Sequence, residues 1–340
     1  MQRRMAEHLG EKGLRLSRVP CIPAVERRMY QPDGTVAAMP EVAAAYTAWD
    51  VLLGELDATV NEANILRGRS VVALPGGEQD AAVQLDDGST LEADILVAAD
   101  GIGSLARSLL LPGIEPAYAG YVAWRGMSDE VDVDPELIKQ FGDSLSTFTS
   151  ENTSIVLYEV PGTDASVRSG ARRLNWVWYE NVAAGDELEF ILTDKHGVRH
   201  RGGVGRDLFR SELHQRIADR AQAWLPPAFA RVVLAAREPF VQAIEDLLSP
   251  QLVFGRTVLI GDAASLIRPH IGSGTAKAVD DAIELAAALG DGSDLRLEAW
   301  QIKRLDQHYA LSQYSRAMAA RLGLGSGRVG AEVSRSSSET

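Results

Sequence analysis

One segment limits the fold of this chain more than any other: Arg256–Ala282, reading RTVLIGDAASLIRPHIGSGTAKAVDDA. The apolar run Thr257–Ile260 predicts a buried strand. Gly261-Asp262 follows as an acidic turn, then Gly272 and Gly274 on either side of Ser273, then an Ala-rich helix over 273–289. This order puts the Asp262 carboxylate at the carboxyl end of a sheet, where open α/β folds bind ligands. It also puts the amides of residues 272–276 (Gly272, Ser273, Gly274, Thr275, Ala276) at a helix start, where the dipole favours negative charge. Glycine lets a ligand approach the backbone closely, and Ser273 or Thr275 can cap the helix. Taken alone, Gly-Asp is also an ordinary cap, and the glycine pair an ordinary loop.

A second element of the same kind lies upstream. Asp94–Asp100 (DILVAAD) is apolar on both faces, as a covered parallel strand is. Asp100-Gly101 then turns the chain, Ser104 is placed to cap a helix over Leu105–Leu111, and Arg107 sits one turn inside it. Together the two elements predict a nucleotide-type α/β region over 60–115 and 252–330, with a β-rich stretch inserted between them. Strands are expected at 119–126, 146–150, 154–160, 172–180 and 187–193. Helices are expected at 207–222 and 228–236, separated by Pro226-Pro227, and at 294–321. Upstream, the pattern gives a short helix at 3–9 and a helix at 50–60. Residues 14–40, with four prolines, read as irregular apart from a hairpin turn at Asp33-Gly34. Residues 69–99 are strand-like. The polar end, Ser334–Thr340, reads as disordered.

Bulk properties exclude several functions. A net charge of −13 argues against nucleic acid and against an anionic membrane surface as partners. The single cysteine, Cys21, allows no intrachain disulfide and no thiolate zinc cluster, which suits a reducing, cytoplasmic setting. No metal site is expected. The opening Met1–Gly10 is too polar for a signal peptide, and no apolar run approaches the ~20 residues of a membrane span.

Asp100-Gly101-x-x-Ser104-x-x-Arg107 resembles the "DG" motif of the FAD-dependent aromatic-ring monooxygenases, and Gly261-Asp262-Ala263-Ala264 with Pro269, Gly272 and Gly274 resembles their "GD" motif. The pair, flanking a β-rich insert, is far more specific than either motif alone. Gly120-Tyr121-Val-Ala-Trp124-Arg125-Gly126, Arg173–Asn181 and Arg268-Pro269-His270 are similar to the 2,6-dihydroxypyridine 3-hydroxylase branch. The likeness runs from near the start to about residue 325. The resemblance implies a mixed α/β fold. Its parts are an FAD-binding region (1–115 and 251–330), an antiparallel β-sheet substrate domain (116–250) and a disordered tail (331–340).

Two departures stand out. The family opens on a βαβ unit carrying Gly-x-Gly-x-x-Gly for the FAD pyrophosphate, about 30 residues long. This chain does not open on such a unit and is expected to be N-terminally truncated. The family also often carries an Arg near the start of the helix after Trp49, where this sequence has Thr47, Ala48, Trp49 and Asp50.

For function, the resemblance implies hydroxylation of an electron-rich aromatic or N-heteroaromatic ring through a C4a-hydroperoxyflavin, with NADH or NADPH and O2 as co-substrates. Asp262 would hold the ribityl chain. Residues 272–276 would meet the flavin pyrimidine edge, and Asp100, Gly101 and Arg107 would lie near the pyrophosphate. His270 would serve the substrate or relay a proton, with Arg125 and Tyr121 facing the ring from the insert. A homodimer is left open. Two other readings compete: a non-catalytic remnant binding a ring compound or a partner, and a flavin halogenase. The latter is suggested by Trp176-x-Trp178, although Tyr179-Glu180 follows it, and a spacing of two also puts both Trp on one sheet face.

Overall fold

A computed structural model describes residues 19–76, 80–151, 153–290 and 294–325. The helix expected at 3–9 and the tail from 331 lie outside the described residues. In chain order the strands are β1 (Ile22–Tyr30), β2 (Val36–Tyr46), β3 (Val71–Ala73), β4 (Ala81–Leu85), β5 (Thr90–Ala93), β6 (Leu96–Ala98), β7 (Ala117–Asp129), β8 (Ser144–Ser150), β9 (Thr153–Val160), β10 (Arg173–Asn181), β11 (Gly203–Val204), β12 (Phe240–Leu248), β13 (Val253–Phe254), β14 (Thr257–Leu259) and β15 (Ser265–Leu266). The helices are α1 (Trp49–Asp57), α2 (Leu105–Leu110), α3 (Pro135–Phe141), α4 (Asp186–Ile191), α5 (Ser211–Trp224), α6 (Pro227–Ala235), the single turn α7 (Gly261–Ala264), α8 (Gly274–Leu289) and α9 (Asp294–Arg321).

The large sheet runs β11-β12-β7-β10-β9-β8-β1-β2 and is antiparallel except for the parallel pair β1–β8. Its central strands β7 and β10 pair without a break from Arg173↔Asp129 to Asn181↔Tyr121. Side chains alternate across a strand, so one face carries Trp124, Trp176 and Trp178, all fully buried. That face packs against the apolar stripes of α5 (Leu213, Ile217, Ala221) and α6 (Phe229, Val232, Val233). The other face carries Tyr121, Ala123, Val177 and Tyr179 and is covered in part by the end of α9 near Ala319.

The second layer system is smaller. β14 pairs in parallel with β6 through Thr257↔Leu96 and Leu259↔Ala98, and antiparallel with β13. Leu285 and Ala288 of α8 and Leu297 and Trp300 of α9 bury against it. The strands expected at 94–100 and 257–260 are therefore neighbours although about 160 positions apart; β14 is buried throughout, whereas β6 is open on one face, with Val97 exposed, and is not the covered strand expected. No described helix is long and apolar enough to cross a membrane, and no group of His, Cys, Asp and Glu among the described residues is placed to hold a metal ion.

Four differences from the sequence reading have physical causes. The stretch read as irregular over 14–40 contains the β1–β2 hairpin. Its turn does fall at Asp33-Gly34, with Gly34 at φ 85° and the Thr35 N–H and Oγ1–H on Asp33. Pro40 is tolerated because it sits where the ladder shifts register, opposite Glu26. This hairpin extends the large sheet, not the nucleotide half of the molecule. The strand expected at 187–193 is instead helix α4. Asp186, Glu187 and Glu189 favour its amino end, and Leu188 and Ile191, three apart, both turn inward. β12, next to β7 at the heart of the sheet, was not read from the sequence.

Candidate active site

The Gly261-Asp262 turn is held from below by four buried side chains. Gly261 has φ +60°, a left-handed value that suits glycine. Its N–H donates to Asp281 Oδ2 (2.9 Å), and its carbonyl accepts from Lys277 Nζ (2.6 Å). Lys277 Nζ also donates to the Ser265 carbonyl (2.8 Å). The other Asp281 oxygen accepts from Arg304 Nε (2.6 Å) and pairs with His308 Nε2 (2.9 Å). Asp281, Lys277, Arg304 and His308 are all essentially inaccessible to solvent. Burial pushes the Asp281 carboxyl upward, but the His308 hydrogen bond and the Lys277 and Arg304 charges outweigh it and hold the carboxyl below its usual range. Lys277 and Asp281 lie one turn apart on α8, and Arg304 and His308 one turn apart on α9. Two helices thus grip one turn, while Asp262 itself stays exposed, its carboxylate unpartnered among the described residues.

The Asp100 segment meets this turn through Arg107. Asp100 Oδ1 accepts from Ser104 Oγ (2.6 Å) and Oδ2 from the Ala106 N–H (3.2 Å), and Ser104 Oγ caps Arg107 N (3.0 Å). Gly101 turns the chain at φ +76°. The Arg107 guanidinium is buried and donates to the carbonyls of Ile102 (2.6 Å) and Ala263 (3.0 Å). It therefore ties the two motifs together through the protein backbone.

The start of α8 has the features an anionic or polar cofactor edge needs. No side chain caps it, Gly272 is left-handed at φ +60° and exposed, and Thr275 is exposed. A Cβ placed on Gly272 or Gly274 would meet nothing within 4 Å. Ser273 is buried, its hydroxyl on the Ile271 carbonyl (3.2 Å), and Ala276 packs with Val19 and Leu52, so Ala276 can offer only its amide. An exposed carboxylate, an open glycine approach and uncapped helix N–H groups together form a donor and acceptor set that fits a flavin with its ribityl hydroxyls.

His270 lies between these glycines and the large sheet. It sits on the short 3-10 turn Pro269–Ile271, with Gly272 N–H closing that turn on Pro269 (2.9 Å). Its Nε2 is 2.8 Å from Tyr121 Oη. The Tyr179 ring stands 4.4 Å away, centroid to centroid. Burial, with the charges of Arg268 and Arg125 beside it, pushes the imidazole down to about 4. Burial likewise holds the Tyr121 phenol well above its usual range, although Arg268 pulls it down. Both groups are neutral at pH 7, and a proton can pass between them. Arg268 is fixed by two bonds to Asp246 (2.9 and 2.7 Å) and lies over the Tyr121 ring. Arg125 shares the sheet face of Tyr121, two positions along β7 from Ala123.

The residues singled out in the sequence fall into two groups, and the Arg107 guanidinium, buried on backbone carbonyls, faces no ligand. Asp262, 272–276, Asp100, Gly101 and Arg107 surround the β6–β14 edge, and His270, Tyr121 and Arg125 face one another at the large sheet. Trp176 and Trp178 are on the opposite, core face, and the Trp178 indole donates to Thr153 Oγ1 (2.6 Å). They build no part of this site. At the helix after Thr47, Asp50 is held by both terminal nitrogens of Arg173 (2.8 and 3.0 Å). The Lys277–Asp281–Arg304–His308 cluster was missed. Its only trace in the sequence is a Lys and an Asp four apart in an otherwise Ala-rich helix.

Known proteins give this geometry a context. A family model described as FAD binding domain-like matches residues 118–246. The 2,6-dihydroxypyridine 3-monooxygenase of Paenarthrobacter nicotinovorans is 33% identical over 279 residues, 82% of this chain and 69% of that protein. An FAD-dependent urate hydroxylase of Klebsiella pneumoniae is 31% identical over 248 residues, 71% of this chain and 55% of that protein. The solved structure of 2,6-dihydroxypyridine-3-hydroxylase from Arthrobacter nicotinovorans superposes with a TM-score of 0.86 at 31% identity, covering 96% of this chain and 82% of that one.

Proposed function

Because this chain belongs to the FAD-dependent aromatic-ring monooxygenases, we propose that it hydroxylates a dihydroxypyridine-like, electron-rich ring at the face of the large sheet that carries Tyr121. FAD, when bound, would supply the activated oxygen, taking its electrons from NAD(P)H and its oxygen from O2. The chain's own residues do the rest. Asp262 would accept hydrogen bonds from ribityl hydroxyls, and the uncapped amides of residues 274–276 would favour negative charge at the flavin pyrimidine edge. Asp100 and Gly101 shape the neighbouring turn, and Arg107 holds it against Ala263, near the cofactor phosphates. His270, kept neutral, takes the proton of a ring hydroxyl through Tyr121, raising the electron density of the ring as oxygen is transferred. Tyr179 walls the ring site beside His270.

The observation that carries this reading is the Tyr121–His270 pair at 2.8 Å, which joins β7 of the large sheet to the short loop that leads into the helix start at Gly274. The test is to load the purified chain with FAD and follow NADH and NADPH oxidation with and without 2,6-dihydroxypyridine, identifying the product by mass. Ring-dependent oxidation with a gain of one oxygen is expected. FAD binding with no ring-dependent oxidation would overturn the hydroxylase reading.

A further inference from the structure

Arg125 has surroundings that its fold alone does not account for. Its Nε is buried, and among the described residues the guanidinium makes no hydrogen bond and joins no ion pair. The residues opposite it in register, Val177 on β10 and Phe240 on β12, are apolar. The groups whose ionisation it influences are the phenols of Tyr158 and Tyr179, both raised by burial and so protonated, and His270, held neutral. The other cation of this face, Arg268, is matched by Asp246 through two bonds. One positive charge is therefore left unmatched on the wall of the ring site, in a chain whose net charge is −13. Only Nε is enclosed and the residue as a whole is half-buried, so the terminal nitrogens stay open to a ligand, and their planar fork suits the oxygens of a carboxylate or a ring oxyanion.

We propose that Arg125 is the charge-selecting residue of this site: the ring compound binds with one group already anionic on the Arg125 guanidinium, a separate ring hydroxyl being the one that Tyr121 and His270 serve, and neutral rings are discriminated against. This rests on the Tyr121 face being the ring site. It narrows the substrate class from electron-rich rings to ring anions, and an anionic ring oxygen is the form that donates electron density most strongly into the ring.

The experiment is calorimetric titration of the FAD-saturated chain, without NAD(P)H, with two near-isosteric pairs: benzoate against benzamide, and 4-nitrophenolate against 4-nitroanisole. At least one anion is expected to bind tenfold or more tightly than its neutral partner, and which pair responds separates a ring carboxylate from a ring oxyanion. Arg125→Met removes the preference, and Arg125→Lys, which keeps the charge without the fork, retains part of it. Arg125→Met is also expected to melt close to the parent, because the half-buried guanidinium it deletes is held by no other described residue. Equal affinity within both pairs, a preference that survives in Arg125→Met, or a marked drop in its melting temperature would each overturn the proposal. Because no turnover is measured, a chain that fails to hydroxylate any ring can still show or lack the anion preference.

Discussion

The two faces of the large sheet are built by the same strands and have opposite chemistry. On one, Trp124, Trp176 and Trp178 close a dry core with α5 and α6. On the other, Tyr121, Arg125 and Tyr179 meet His270 from a neighbouring loop. Alternation along β7 and β10 is all that separates them. Substitutions at adjacent positions should therefore act on different quantities: stability on one face, chemistry on the other.

The largest effect that would break this division is on the core face. Trp178→Ala is expected to lower unfolding free energy by about 3–5 kcal/mol in urea melts, while turnover per folded molecule at low temperature changes little. A comparable loss of turnover would show that the faces are not separable. On the other face, His270→Gln is expected to lower kcat about 100-fold, near the low end of general base effects, with unfolding free energy within about 0.5 kcal/mol of the parent.

The pH dependence of stability sharpens the same contrast. Folded His270 takes up its proton near pH 4, against about 6.5 in the unfolded chain. The unfolded state then binds more protons between these values, so stability falls as pH drops from about 6.5 towards 4 and is insensitive to this residue above that window. The difference between the parent and His270→Gln across the window should be on the order of 1–2 kcal/mol, reduced by screening of a half-buried ring. Identical pH profiles would remove His270 from the set of buried neutral groups. The smallest effect is at Tyr121→Phe, which deletes one hydrogen bond worth about 1 kcal/mol. It should slow turnover by about tenfold or less and lower the unfolding free energy by no more than about 1 kcal/mol.

The sequence showed the motifs better than it showed the packing between them. Asp100–Arg107 and Gly261–Gly274 were legible because glycine turns after apolar runs have few structural uses, and their order along the chain was informative. The distinction between the two Trp residues as core and Tyr121 as site wall was only half legible: period two says that they differ in face, not which face is covered. α4 was misread because Leu188, Phe190 and Leu192 alternate as in a short strand, a pattern that competes with the helical pair Leu188 and Ile191 until the acidic first turn is weighed. The cluster under Gly261 was illegible because Arg304 and His308 come from a helix whose charges look like those of any solvated surface; only the pairing of α9 with α8 buries them.

The bond from Arg107 to the Ala263 carbonyl spans 156 positions, with the strands β7 to β12 of the large sheet between its ends. The parallel pairing of β6 with β14 closes the same loop. During synthesis β6 leaves the ribosome ahead of β14, its partner among the described residues, by roughly 160 residues, on the order of 10–30 s at ordinary elongation rates. The large sheet can assemble within that interval, so the nucleotide half is completed last and around a finished insert. Refolding from denaturant, where the whole chain is present at once, need not follow that order, and its slowest phase is expected to report closure of this loop.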